Sequence, residues 1–172
     1  MGHHIPYCWE SIGILMVNNQ KYLHLLDIES DNGDKTIHML VRNSSRVRRT
    51  ILDNKNKDLL KATNRKSGIS VSHLLAHDDQ TACHIINSSY CKKELLRREH
   101  INRSSVAHWI ARYSLKGSIA ILSKLEYSTL EDKNFFKYVL RQTDNNNYTV
   151  MDTMKKRWTN NVSLYLSFDS NA

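Results

Sequence analysis

Proline is almost absent: Pro6 is the only one, and just five glycines stand beside it as strong chain breakers. A sandwich or barrel of short strands needs many such residues at its turns, so their scarcity favours helices joined by short polar loops. Cysteine is scarce as well. Cys8, Cys83 and Cys91 are odd in number and too sparse for a disulfide framework, which points to a reducing compartment. No apolar run approaches the roughly 18–20 residues that span a bilayer. The stretch Ile12–Val17 follows Glu10 and precedes no small-residue cleavage site, so it is expected as a buried helix and not as a signal peptide. Enzyme signatures are missing too: there is no glycine-rich phosphate loop, nucleophile elbow, His-Glu-x2-His or paired-cysteine motif. Neither catalysis nor a cofactor is expected.

What is present describes a globular domain. The 172 residues are 40% hydrophobic and 24% charged, enough to bury one substantial core. Formal net charge is +8, which allows an acidic partner, whether nucleic acid, an anionic membrane surface or an acidic protein, and charge alone does not choose among them.

The chain also repeats itself. Ser105-Val106-Ala107-His108-Trp109-Ile110-Ala111 has a copy thirty-five residues upstream, Ser70-Val71-Ser72-His73-Leu74-Leu75-Ala76. Another thirty-five back stands Lys35-Thr36-Ile37-His38-Met39-Leu40-Val41. A fourth copy, Thr149-Val150-Met151-Asp152-Thr153-Met154-Lys155, follows after 44 residues with aspartate in place of histidine. A second feature keeps step: Leu26, Leu60, Leu96 and Leu140 precede the next His or Asp by 12 or 13 residues. A fixed period of 20–50 residues marks a stack in which each unit buries its apolar face on its neighbours.

This register divides the chain into an N-terminal partial unit (1–30), repeats at 31–68, 69–103 and 104–147, and a capping repeat at 148–172. The partial unit holds two short helical candidates, Trp9–Val17 and Gln20–Ile28. Each repeat then carries a helix A and a helix B: Thr36–Arg42 with Arg46–Asp53, Ser70–His77 with Asp79–Asn87, Ser105–Tyr113 with Lys116–Leu125, and Thr149–Arg157 with Asn160–Phe168. Ser44-Ser45 supplies an N-cap for the first helix B. The third repeat contains an insertion near 129–142, where Ser128-Thr129-Leu130-Glu131 reads as a capping box opening an extra helix.

The heptad resembles the Thr-Pro-Leu-His-x-Ala-Ala helix A of the ankyrin repeat. The fold class implied is all-α, an ankyrin-like α-solenoid of about four helix-turn-helix repeats in one domain. Departures are plain: no copy has the proline, the period is 35 rather than 33, and the loop glycine survives only as Gly33 and Gly68. The helical stack is expected more firmly than the β-hairpin fingers. The resemblance implies structural roles for Thr36, His38, Ser70, His73, Ser105 and His108, and for Asp152 in the last copy. It also implies a concave binding face lined by the residues after the histidine, Met39, Leu74, Trp109 and Thr153. One turn further lie Arg42, His77, Arg112 and Lys156, so an apolar row and a basic row would run in parallel. Met39, Arg42, Leu74, His77, Trp109, Arg112 and Lys156 are therefore the candidate partner-binding residues. The plain alternative is that Leu74 and Trp109 merely pack against the next loop.

Other constellations are weaker. His73-x3-His77 with Cys83, His84 and Cys91, or His3-His4 with Cys8, matches metal spacing only loosely, and no metal is expected. The basic runs Arg46-x-Arg48-Arg49, Lys92-Lys93, Arg97-Arg98 with Arg103, and Lys155-Lys156-Arg157 fall on different elements, which reads as solvated surface. The expectation is a monomeric, non-catalytic module that binds another protein through an acidic and apolar segment. Nucleic-acid binding is the runner-up. The eroded, Asn- and Lys-rich repeats also look like ankyrin proteins that intracellular bacteria deliver into host cells, which would place the chain in the cytoplasm of a cell or of its host.

Overall fold

The computed structural model describes residues 5–54 and 57–166, with side chains described for 9–54 and 57–159. Among these residues the chain is mostly helical and has no strand, so the fold class is all-α. It separates into two compact units, Met1–Leu75 and Ala76–Ala172.

The first unit contains α1 (Ile5–Asn18), α2 (Thr36–Asn43), α3 (Ser45–Asp53) and α4 (Val71–Leu75), with 3-10 turns at Gln20–Asp27 and Lys57–Lys61. Its α1 packs on α3, α2 packs on α4, and α2 packs on α3, which gives two layers of helices. The second contains α5 (Asp79–Asn87), α6 (Val106–Tyr113), α7 (Leu115–Tyr127), α8 (Leu130–Leu140) and α9 (Val150–Leu166), with a 3-10 turn at Lys92–Leu96. Here α5 packs on α7, α6 on α9, α6 on α7, and the inserted α8 on α7.

Local chemistry sets these boundaries. The helix B of each of the three repeats before the last opens on a side-chain cap: Ser44 Oγ accepts from Val47 N at 3.1 Å, Asp78 Oδ1 from Thr81 N at 3.0 Å, and Ser114 Oγ from Gly117 N at 2.9 Å. Thr129 caps α8 by accepting from Asp132 N at 3.3 Å, one residue beyond the box read at Ser128. The buried stripe of each helix B then falls at helical spacing: Val47, Ile51 and Leu52; Ala82, Ile85 and Ile86; Ser118, Ile121 and Leu122. Gly117 lets α6 and α7 close on each other, because a Cβ there would sit 2.6 Å from Ile110 Cγ2.

The loops between repeats are closed in the same manner although their sequences and lengths diverge. Isolated antiparallel bridges join Glu29 to Lys35, Thr63 to Ser70, Arg98 to Ser105 and Thr143 to Thr149. In the last three loops the residue after the bridge collects loop amides. Asn64 Oδ1 accepts from Lys66 N and Ser67 N, Glu99 from Ile101 N, Asn102 N and Ser104 N, and Asp144 Oδ1 from Asn146 N and Tyr148 N. Five residues before each His or Asp stands a left-handed residue: Gly33 (φ 77°), Gly68 (φ 71°), Arg103 (φ 53°) and Asn147 (φ 61°). The lost glycines thus leave the turn intact, with Arg103 carrying the backbone cost that a β-carbon brings.

Several boundaries differ from the sequence reading. Gln20–Asp27 is a 3-10 turn, and α4 stops at Leu75 because Asp78 caps the next helix. Leu95, rather than Leu96, is the fully buried member of its pair. Trp158 (φ −122°, ψ 29°) breaks α9 where the cap of a helix B would stand, and its indole N–H donates to the Ala111 carbonyl at 2.7 Å. The expected end of that helix at 167–168 lies outside the described residues, as do His3, His4 and the Cys8 side chain.

Replacing Arg103 with glycine removes the β-carbon from a left-handed position. The variant is expected to gain about 0.5–1 kcal/mol in urea unfolding after glycine's extra chain entropy is subtracted. Gly33→Ala is expected to lose about 1 kcal/mol or more, since its Cβ would also lie 3.2 Å from Lys66 N.

Candidate partner-binding surface

The histidines that first look chemical are buried ties. Nδ1 of His38, His73 and His108 accepts from the backbone N–H three residues earlier, at 3.0 Å, 3.1 Å and 3.2 Å. An accepting Nδ1 leaves the proton on Nε2, which in His38 lies 3.2 Å from the Ile69 carbonyl and in His108 3.1 Å from that of Tyr148. Both carbonyls belong to the loop before the next helix A. The hydroxyls of Ser70 and Ser105 lie 2.8 Å from their histidines, while Thr36 Oγ1 donates to Ile28 O at 3.2 Å. In the last copy, Asp152 Oδ2 accepts from Thr149 N at 3.0 Å and Thr149 Oγ1 at 2.6 Å. These hydrogen bonds hold its carboxyl below the usual range. A carboxylate has no hydrogen to pass onward, so this copy closes its own turn only.

The seven candidate residues divide by what they touch. In the first unit Met39 is exposed and Leu74 half-buried, on neighbouring α2 and α4. Arg42 pairs with Asp34, whose carboxylate also accepts from Asn64 Nδ2 at 2.7 Å. That arginine therefore fastens the loop as well as facing solvent. In the second unit the His77 ring stacks on Tyr113 with centroids 3.9 Å apart and meets Trp109 edge-on at 5.1 Å. Trp109 and Tyr113 meet at 5.8 Å, so three rings form one contiguous aromatic patch with His77 and Tyr113 exposed and Trp109 half-buried. Arg112 is exposed beside Tyr113 in sequence. Lys156, on the neighbouring α9, lies over the Tyr148 ring at 5.2 Å, while Thr153 is half-buried and donates to Thr149 O. Sequence reasoning missed Tyr113 and Tyr148. Tyr113 carried a signal, four residues after Trp109 on the same helix.

Many cations of the basic runs are engaged within the fold. Lys92 pairs with Asp132 at 2.5 Å and Arg97 with Glu94 at 2.5 Å, and Arg46 sits 3.6 Å from Glu10. The Arg98 guanidinium donates to the carbonyls of Arg103 and Thr143 and to Gln142 Oε1.

Among the described residues no three potential metal ligands come together, and Cys83 and Cys91 are free thiols. Burial, helped by nearby Asp79, raises the Cys83 thiol and so suppresses its thiolate. No helix of the described residues is long and apolar enough to cross a membrane. No protein-family model, curated protein or solved structure matches the chain.

The ties make stability depend on pH. Burial lowers the pKa of both His38 and His108 from the ordinary value of 6.5, so the fold favours neutral imidazoles. Below that pH the unfolded chain takes up protons the native state resists, and stability present above it is lost as pH falls. The thermal midpoint is expected to be flat above about pH 7 and to fall from there to about pH 5, with a shallower slope in His108→Gln. An identical slope in parent and variant would contradict the assignment.

Proposed function

We propose that the chain is a degenerate ankyrin-like solenoid acting as a non-catalytic adaptor that grips a partner protein on its helix A face. The observation that carries this reading is the aromatic patch of Trp109, Tyr113 and His77 beside Arg112. Trp109 and Tyr113 on α6, locked against the His77 ring in the turn after α4, lose little entropy on binding, and aromatic residues and arginine are the usual anchors of protein interfaces. Exposed Lys156 on the next helix A adds positive charge to that row, which suits a partner segment with apolar anchors and acidic flanks. Supporting the solenoid are the helix A–helix A and helix B–helix B contacts inside each unit, the four bridged loops and the recurrent turn ties. The resemblance alone supports the further reading as an effector acting in a host cell's cytoplasm.

Nucleic-acid binding draws less support, because Arg46, Lys92, Arg97 and Arg98 have acidic or carbonyl partners inside the fold. An affinity capture from host-type lysate, with and without nuclease, separates the two. Nuclease-resistant partners are expected, and Trp109→Ala with Arg112→Glu should reduce their capture at least tenfold while circular dichroism stays unchanged. Undiminished capture by the double variant removes the helix A face. Loss of every partner on nuclease treatment favours nucleic acid.

A further inference from the structure

Arg42, Arg112 and Lys156 hold one position of the repeat, four residues after its His or Asp. In two copies the side chain there meets the residue four before. The Arg42 guanidinium donates to the Asp34 carboxylate through both terminal nitrogens, Nη1 to Oδ2 and Nη2 to Oδ1, the second at 3.4 Å. Lys156 lies over the Tyr148 ring at 5.2 Å. In the third copy the place of Asp34 is taken by Ser104, which is buried and carries no charge.

Arg112 therefore keeps the position but lacks the anion. Burial lowers the pKa of His38 and of His108, and the positive field of Arg42 on the one and Arg112 on the other lowers it further. Each arginine thus stands close to its own histidine. Among the described residues no carboxylate forms an ion pair with Arg112. The acidic side chains of the loops before and after α6 hold backbone amides instead. Glu99 accepts from Ile101, Asn102 and Ser104, and Asp144 accepts from Asn146 and Tyr148. What remains is an exposed guanidinium fork, a group that matches a carboxylate through two parallel hydrogen bonds. Trp109 stands three residues earlier on the same helix, so the two side chains start about 5–6 Å apart on one face.

We propose that Arg112 is the carboxylate seat of the helix A face. It takes an Asp or Glu side chain of the partner segment, in the manner that Arg42 takes Asp34, while an apolar residue beside that carboxylate lies on the His77, Trp109 and Tyr113 rings. The inference rests on the adaptor reading and supplies the charged half of the motif being read. Arg42 is already occupied by Asp34, and Lys156 offers a point charge without a fork. Discrimination therefore falls to Arg112.

The probes are acetyl-Glu-Ser-Phe-Ser-Glu-amide and its counterpart with both glutamates replaced by glutamine. In an extended peptide, side chains on one face recur every second residue, roughly 6–7 Å apart, so either glutamate can reach Arg112 when the phenylalanine lies on the rings. Each is titrated into the nitrogen-labelled full chain near neutral pH, and NMR follows the Trp109 indole and the arginine guanidinium signals. Saturable shifts of Trp109 and Arg112 are expected with a Kd of about 1–10 mM, and a Kd roughly fivefold higher or more for the glutamine peptide. The Arg42 signals should stay in place. The preference for glutamate should fall to within about twofold in Arg112→Gln and survive in Lys137→Gln, which removes the same charge from α8. Equal affinity for the two peptides, with Trp109 still shifting, overturns the carboxylate seat and leaves the helix A face standing. No shift of Trp109 with either peptide removes both. The seat is also lost if the preference survives in Arg112→Gln or falls equally in Lys137→Gln. A thymidine oligonucleotide that shifts both signals at about a tenth of the peptide concentration would assign the arginine to phosphate and overturn it as well.

Discussion

The structure depends on one repeated constraint: the first turn of helix A must be closed, and the loop of the next repeat must be held. A buried imidazole does both, since Nδ1 accepts from the turn's own amide while Nε2–H reaches the following loop at Ile69 or Tyr148. Each unpaired polar group in such a place would cost roughly 1–3 kcal/mol, so the tie fixes helix and loop together. The recurrent apolar stripes of helix B then find their neighbours at a set distance. Where aspartate replaces histidine, the turn closes but nothing is passed on.

With the buried imidazoles committed to this frame, the proposed function falls to what the frame displays. The interlocked rings of His77, Trp109 and Tyr113 with Arg112 lie on one face of the second unit, and the apolar row Trp9, Ile12 and Leu15 of α1 lies on the first. Both display exposed apolar side chains. Cys91 is buried, and burial raises the Cys83 thiol and so suppresses its thiolate.

Much of the frame was legible in the sequence because repetition averages out local ambiguity. The histidine register placed every helix A, and Ser44 marked the first helix B by ordinary capping chemistry, whereas the equivalent caps Asp78 and Ser114 emerged only from the structure. The loops were less legible. Arg103 and Asn147 occupy a backbone state that glycine normally advertises, and Asn64, Glu99 and Asp144 do one job with three different side chains. The candidate site was half legible. Spacing found Trp109 and His77, but Tyr113 and the diversion of Arg42 to Asp34 are contacts that no one-dimensional pattern encodes.

The protonation pattern of the buried imidazoles, which long-range proton–nitrogen NMR reads at neutral pH, tests the tie most directly. His38 and His108 are expected in the Nε2–H form with a bare Nδ1 and slowly exchanging ring protons, in contrast to exposed His24. An Nδ1–H form, or rapidly exchanging rings indistinguishable from His24, would contradict the tie on which the stack depends.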